Sequence, residues 1–222
     1  TPKAKILWHR DVEDNSVAVA SFNTPPQQLF IESEVIIQHY NESPLNFIVS
    51  DYAINYPFKY LANDNFILSS YMVLPNEETR TLLNNWIFNI YKYGEKIQTY
   101  TLLQKLITYI FKNFTYEVRE EAGVQTAKQT LSYGSGSCRD FAFLFMEVVK
   151  CLGLATRFVS GYLYAPLMSD KVGSTHAWAE VYLPGGGWIG FDPTTGNIAG
   201  TDHISVAVSR LPDNVPPIAG SF

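Results

Sequence analysis

Gly134-Ser-Gly-Ser-Cys138-Arg-Asp-Phe-Ala-Phe-Leu-Phe-Met-Glu-Val-Val-Lys-Cys-Leu-Gly153 is the most informative stretch of the chain. From Cys138 to Leu152 it is apolar nearly all round, which predicts a central, buried helix. Gly153 supplies its stop. A glycine-rich loop therefore delivers a cysteine to a helix start, where unsatisfied backbone N–H groups and the helix dipole favour a thiolate. Gly134 and Gly136 are read as keeping that loop thin, so that a substrate backbone can approach. The plainer reading is that Cys138 is a small buried hydrophobe, as most free cysteines are. Asp140 falls in the first turn, where the dipole suits an acid, and Arg139 is expected to pair with a nearby acid. Neither is assigned to catalysis.

Downstream the pattern turns to strands. Leu154 to Tyr164 is β-rich, and His176 to Leu183 alternates. Pro184-Gly-Gly-Gly187 is a turn, Trp188 to Asp192 a return strand, and Ile204 to Val208 another strand. His176 lies 38 positions after Cys138. Ala177, Ala179, Val181 and Leu183 can face a core, which leaves His176 on the opposite face beside Trp178. A hairpin about residues 184–187 brings Asp192 back toward the His176 end. Cysteine nucleophile, histidine base and orienting acid form a nucleophilic triad. Taken alone, His176 would be structural and Asp192 a turn residue before proline.

Upstream, Asn76 is a predicted N-cap followed by Glu77 and Glu78. Leu82, Leu83, Trp86, Ile87, Ile90 and Tyr91 recur at helical spacing until Gly94. A second helix is expected from about Ile97 to Asn113. The first third reads as strands, with Val17–Phe22 ending in the loop Asn23-Thr-Pro-Pro26 and a β-branched run from Leu29 to Tyr40. Residues 46–74 show no clean period, and the composition shifts at Pro75. The expected organisation is an N-terminal β domain over 1–74 and a second domain over 75–222.

Four blocks, in order, resemble the bacterial transglutaminase-like superfamily of cysteine proteases. They are Gly136-Ser-Cys138-Arg-Asp-Phe-Ala-Phe-Leu-Phe145, Gly153-Leu-Ala-Thr-Arg-Phe-Val-Ser-Gly-Tyr162, His176-Ala-Trp-Ala-Glu-Val-Tyr182 and Gly187-Trp-Ile-Gly-Phe-Asp-Pro-Thr194. The match spans about residues 97–217; His203–Val208 and Val215–Gly220 also resemble the family's C-terminal part, and the first third resembles its N-terminal β domain more loosely. Where the family commonly has Gly-Arg-Asp-Tyr, this chain has Ser209-Arg-Leu-Pro212. The resemblance implies a papain-like core and places the family's triad on Cys138, His176 and Asp192. The Cys138 amide is one oxyanion donor by position, with Gln125, Tyr116 and Tyr133 as candidates for the second. It also implies that both chain ends are trimmed, as does the opening on Thr1.

The expected fold class is therefore α+β: an N-terminal β-sheet or sandwich domain, then helices packed on an antiparallel sheet. The expected activity is cysteine-dependent acyl transfer on peptide or amide bonds, with water as the usual acceptor. Amine transfer and a silent module that binds peptide or cell-wall-like chains are the alternatives. Composition narrows the field. The chain has 222 residues, 46% hydrophobic and 17% charged, so it can bury a core and is not extensively disordered. A net charge of −5 with no basic cluster argues against nucleic acid as partner. No run is long and apolar enough to span a membrane, and no signal segment opens the chain. Cys138 and Cys151 sit 13 positions apart on one helix, about 20 Å, beyond disulfide reach. Free thiols point to a reducing, cytoplasmic setting. His9, His39 and His203 are scattered without ligand spacing, which argues against zinc. No metal and no organic cofactor is expected, and the partner is a peptide or protein substrate.

Overall fold

The computed structural model describes residues 4–24, 28, 30–32, 34–38, 44–164 and 174–219. In chain order, a hairpin of β1 (Ala4–Arg10) and β2 (Ser16–Phe22) comes first, then β3 (Asn55–Tyr56), α1 (Ala62–Leu68) and α2 (Glu77–Phe88). β4 (Ile97–Gln98), α3 (Thr99–Asn113), β5 (Thr115–Tyr116), α4 (Ala127–Tyr133), β6 (Ser135–Gly136) and α5 (Cys138–Cys151) follow. The chain continues with β7 (Thr156–Leu163), β8 (Ser174–Leu183), β9 (Gly187–Asp192), β10 (Asn197–Ile198) and β11 (His203–Ser209). The last five form one antiparallel sheet in the order β10-β9-β8-β7-β11. The class is α+β.

Helix α5 is buried almost throughout, with Phe141, Leu144, Phe145, Val148 and Val149 in the core. It lies across β8, whose Ala177, Ala179, Val181 and Leu183 are also buried. Phe145 meets Phe191 of β9 at 5.9 Å between ring centroids. Helix α3 adds Leu102, Leu103, Leu106, Ile107 and Ile110, all fully buried. At roughly 2 kcal/mol each, that stripe supplies on the order of 10 kcal/mol of apolar burial before ordering entropy. Helix α2 buries only Leu83 and Ile87, so α3 is the stronger anchor. The start of α2 is as expected, with the Asn76 side chain accepting from the Thr79 amide at 2.9 Å.

The opposite face of the sheet is also covered. Trp178 is 2% exposed and lies between two glycines. A Cβ on Gly161 would stand 2.9 Å from the Trp178 ring and 2.1 Å from the Ile204 carbonyl oxygen. A Cβ on Gly190 would stand 3.2 Å from the Trp178 ring nitrogen and 2.5 Å from Ala199 Cβ. Only glycine lets the neighbouring chain approach this closely.

Three expectations change. The run from Leu29 to Tyr40 carries no strand at its described positions; Leu29, His39 and Tyr40, like Pro25, Pro26 and Gly220, lie outside the described residues. A β-branched run without a paired neighbour has no ladder to join. Packing also runs across Pro75: Tyr56 donates to the Leu152 carbonyl at 2.8 Å, and Tyr60 to that of Tyr182 at 2.8 Å. Residues 51–74 thus hold a short helix and share the core of the following segment. Finally, the glycines before Cys138 serve the fold. Gly134 takes φ +64° as the C-cap of α4, and a Cβ on Gly136 would meet Asp140 Cβ at 2.9 Å.

The loop that carries Cys138 is held by Asp140, whose side chain is fully buried. Its carboxylate accepts from the Gln125 amide at 2.7 Å and from the Ser137 amide and hydroxyl at 2.8 Å each. Arg119 Nη1 donates to both of its oxygens, at 2.7 and 2.9 Å. Burial alone would raise the Asp140 pKa, but these partners leave it lowered. Arg139 instead donates to the Glu121 carbonyl at 3.2 Å. Asp140→Ala should lower the unfolding free energy by about 3 kcal/mol, because Arg119 and two amides lose their acceptor at once. Urea titration of the variant against wild type checks this.

Candidate active site

The β8–β9 hairpin pairs Ala179 with Phe191 and Tyr182 with Trp188. Strand alternation then puts His176, Trp178 and Asp192 on one face, away from α5's apolar contacts. His176 Nε2 stands 2.9 Å from Asp192 Oδ2, and both side chains are buried. The return of Asp192 to the His176 end is as the turn at 184–187 predicts.

Asp192 is the most heavily engaged carboxylate at this end of the sheet. Oδ1 accepts from the Thr194 amide at 2.8 Å. Oδ2 faces His176, the Thr195 hydroxyl at 3.0 Å and His203 Nε2 at 3.1 Å. Burial works to raise its pKa, but the hydrogen bonds from His176 and His203, and then the His176 charge, hold the carboxyl well below the usual range. Burial would likewise lower the His176 pKa. Hydrogen bonds to Asp192 and to the Cys138 side chain, with their charges, override it and raise His176 to about 9. With Nε2 committed to Asp192, Nδ1 is the ring nitrogen left for the thiol.

Cys138 is the first residue of α5 and is 9% exposed. Cys151 closes the same helix, and burial, with Glu147 nearby, pushes its thiol up to about 11. Both cysteines are free.

The three candidates for a second oxyanion donor separate. Gln125 is buried behind Asp140, its amide donating there and its side-chain oxygen accepting from the Thr130 hydroxyl at 3.0 Å. Tyr133 is 63% exposed at the end of α4. Tyr116 lies within the field of both Cys138 and Asp192; burial first, then those two charges, raise its pKa, so it keeps its O–H.

His203 belongs to this site, although its spacing in sequence carries no sign of it. It starts β11, and two strands separate it from β9 in the sheet order. Its ring lies 5.8 Å from that of His176 and 5.1 Å, edge-on, from Trp178. The available signal is only that His203 opens a strand, which places a side chain at the sheet's end.

His176, Asp192 and His203 bring three ligand-type atoms within 4.8 Å of one another. Their chemistry does not suit a cation. The Gly200 amide donates to His203 Nδ1 at 3.1 Å, so the ring proton sits on Nε2, facing Asp192. His176 presents Nε2 to the same oxygen. A cation there would need both of those nitrogen lone pairs.

Residues 82–193 match the Transglutaminase-like superfamily. The chain belongs to that superfamily. A protein of Mycobacterium tuberculosis is 33% identical over 128 residues, covering 54% of this chain and 41% of its own length. One of Mycobacterium leprae is 38% identical over 92 residues, covering 39% of this chain and 32% of its own length. The chain thus spans less than half the length of these mycobacterial relatives. Among solved structures, a candidate cysteine protease from Cytophaga hutchinsonii superposes with a TM-score of 0.53 at 23% identity, over 69% of this chain and 50% of that one. That likeness shows the fold. Among the described residues, no helix of this superfamily member is long and apolar enough to cross a membrane.

The raised His176 pKa has a sign in stability. Its stabilisation is complete below the unfolded value near 6.5 and is lost as pH rises through about 9. The lowered Asp192 pKa acts at the other end, where stability is lost as pH falls below about 4. Thermal unfolding followed from pH 3 to 10 should fall off on both sides, and the alkaline fall should flatten in His176→Ala.

Proposed function

We propose that the protein performs cysteine-dependent acyl transfer on peptide or amide bonds, with Cys138 as nucleophile, His176 as acid–base group and Asp192 as its orienting partner. The observation that carries this reading is the buried His176–Asp192 pair, 2.9 Å apart, in a chain whose Cys138 opens helix α5.

In this reading the thiol proton moves from Cys138 to His176 Nδ1, leaving a thiolate at a helix N-terminus beside an imidazolium. The sulfur adds to the carbonyl carbon, and the carbonyl π pair moves to oxygen. The Cys138 amide and the Tyr116 hydroxyl are the donors proposed for that oxyanion. When the C–N bond breaks, His176 returns its proton to the leaving amine, giving a thioester and neutral imidazole. Water then adds to the thioester as His176 takes its proton, and the sulfur leaves as the acid forms. Asp192 keeps Nε2 protonated throughout and stabilises the charged ring. Water as acceptor makes the protein a peptidase or amidase; an amine in its place would make it a transglutaminase. The proposed partner is a peptide or protein substrate.

Iodoacetamide at pH 6 should modify Cys138 and spare Cys151, read by peptide mass spectrometry. His176→Ala should raise the pH needed for that labelling. A peptide library should yield new termini with wild type and none with Cys138→Ala. First labelling at Cys151, or identical library products from both proteins, would overturn the reading. A labelled amine added with a glutamine-containing casein substrate should be incorporated more slowly than acid is released.

A further inference from the structure

We propose that His203 is a fourth member of this site, a positioning residue whose Nε2–H holds Asp192 in the orientation that His176 needs. The inference rests on the acyl-transfer reading above and assigns a role which that reading leaves open.

The two sides of the His203 ring have separable duties. On one side Nδ1 accepts from the Gly200 amide at 3.1 Å, while the His203 amide donates back to the Gly200 carbonyl at 3.0 Å. This reciprocal pair closes the loop before β11. It also fixes the tautomer, because an occupied Nδ1 lone pair leaves the proton on Nε2. On the other side that Nε2–H points at Asp192 Oδ2, 3.1 Å away, the same oxygen that His176 uses. His203 therefore adds a donor to the buried carboxylate without adding a charge that would oppose the His176 imidazolium.

Asp192 Oδ2 has three partners, and each constrains it from a different direction: His176 from β8, Thr195 from the turn after β9, and His203 from β11. A carboxylate held this way cannot rotate away when His176 changes charge. Trp178 sets the spacing. It stacks on His176 at 6.1 Å and meets His203 edge-on at 5.1 Å, and its own ring is confined by Gly161 and Gly190. Among the described residues, the ionisable groups facing His203 are Asp192 and His176.

Two substitutions divide the ring's duties. The Asn side-chain oxygen overlays Nδ1, so His203→Asn keeps an acceptor for Gly200 but cannot reach Asp192. The Gln amide nitrogen overlays Nε2, so His203→Gln keeps the donor to Asp192. The probe is the second-order rate of Cys138 alkylation by iodoacetamide across pH 4–9. His203→Asn should slow alkylation at pH 6 about tenfold, the scale of one hydrogen bond to a charged group. Its acid limb should move upward, while His203→Gln stays within about threefold of wild type on the same scale. Long-range 1H–15N spectra of wild type should show His203 neutral and protonated on Nε2 at pH 7, a readout that needs no variant to fold. Equal profiles for Asn and wild type, a Gln variant no better than Asn, or an Nδ1–H or doubly protonated His203 would overturn the inference. Wild type lacking fast alkylation at pH 6 would instead overturn the acyl-transfer reading itself.

Discussion

The Asp192 carboxylate has no access to water, and much of the sheet's irregular end is arranged to replace that water. An unpaired buried carboxylate would cost several kcal/mol, so donors must arrive from elsewhere. They come from the amide of Thr194, the hydroxyl of Thr195 and the rings of His176 and His203. Each demand fixes a piece of chain. The β8–β9 register must return Asp192 to the start of β8, the turn after Asp192 must be tight, and the loop between β10 and β11 must bring His203 against Trp178. Gly161 and Gly190 follow from the same requirement, since a side chain at either would push Trp178 or its cover away.

Asp140 obeys the same physics at the other half of the site. It is also buried, and it also draws its donors from separate segments: Arg119, the Gln125 amide and Ser137. One carboxylate therefore holds the loop that precedes Cys138, and the other holds the imidazole of His176. The helix between Cys138 and Cys151 places the two free thiols at opposite ends. At its far end, burial and Glu147 raise Cys151 to about 11, which keeps that sulfur protonated and unreactive. At its near end, Cys138 opens the helix beside the Ser137–Asp140 capping box, where the dipole favours negative charge.

What could be read from sequence was whatever repeats with a period or closes locally. The all-round apolar run from Cys138, the Asn76 cap, and the alternation of β8 with its Gly-rich turn each carry their own signal, and each stands where expected. Helix α4 was not read from the sequence, although Thr126 and Gln129 form a capping box and Gly134 ends it. The run from Leu29 to Tyr40 has the residue types of a strand, but residue types do not supply a partner strand, and its described positions form none. His203 escaped because its contact with Asp192 depends on strand order, which brings residues eleven apart together over the sheet face rather than along it. Gly136 misled for a related reason: a glycine needed for internal contact with Asp140 looks, in sequence, like one that admits a substrate.

The energetics of the buried cluster bear on the choice between an enzyme and a silent binding module. A buried ion pair gives little net stability over a well-packed apolar pair, and replacement by hydrophobic residues of similar volume is often neutral or stabilising. A module that only held a peptide could fill the positions of His176, Asp192 and His203 with apolar side chains and still bury Trp178. This chain instead keeps two imidazoles and a carboxylate within 4.8 Å, all but excluded from water. The arrangement raises His176 to about 9, so that at neutral pH the ring is an acid with a proton to give. Binding alone has no use for that proton, whereas a leaving amine does.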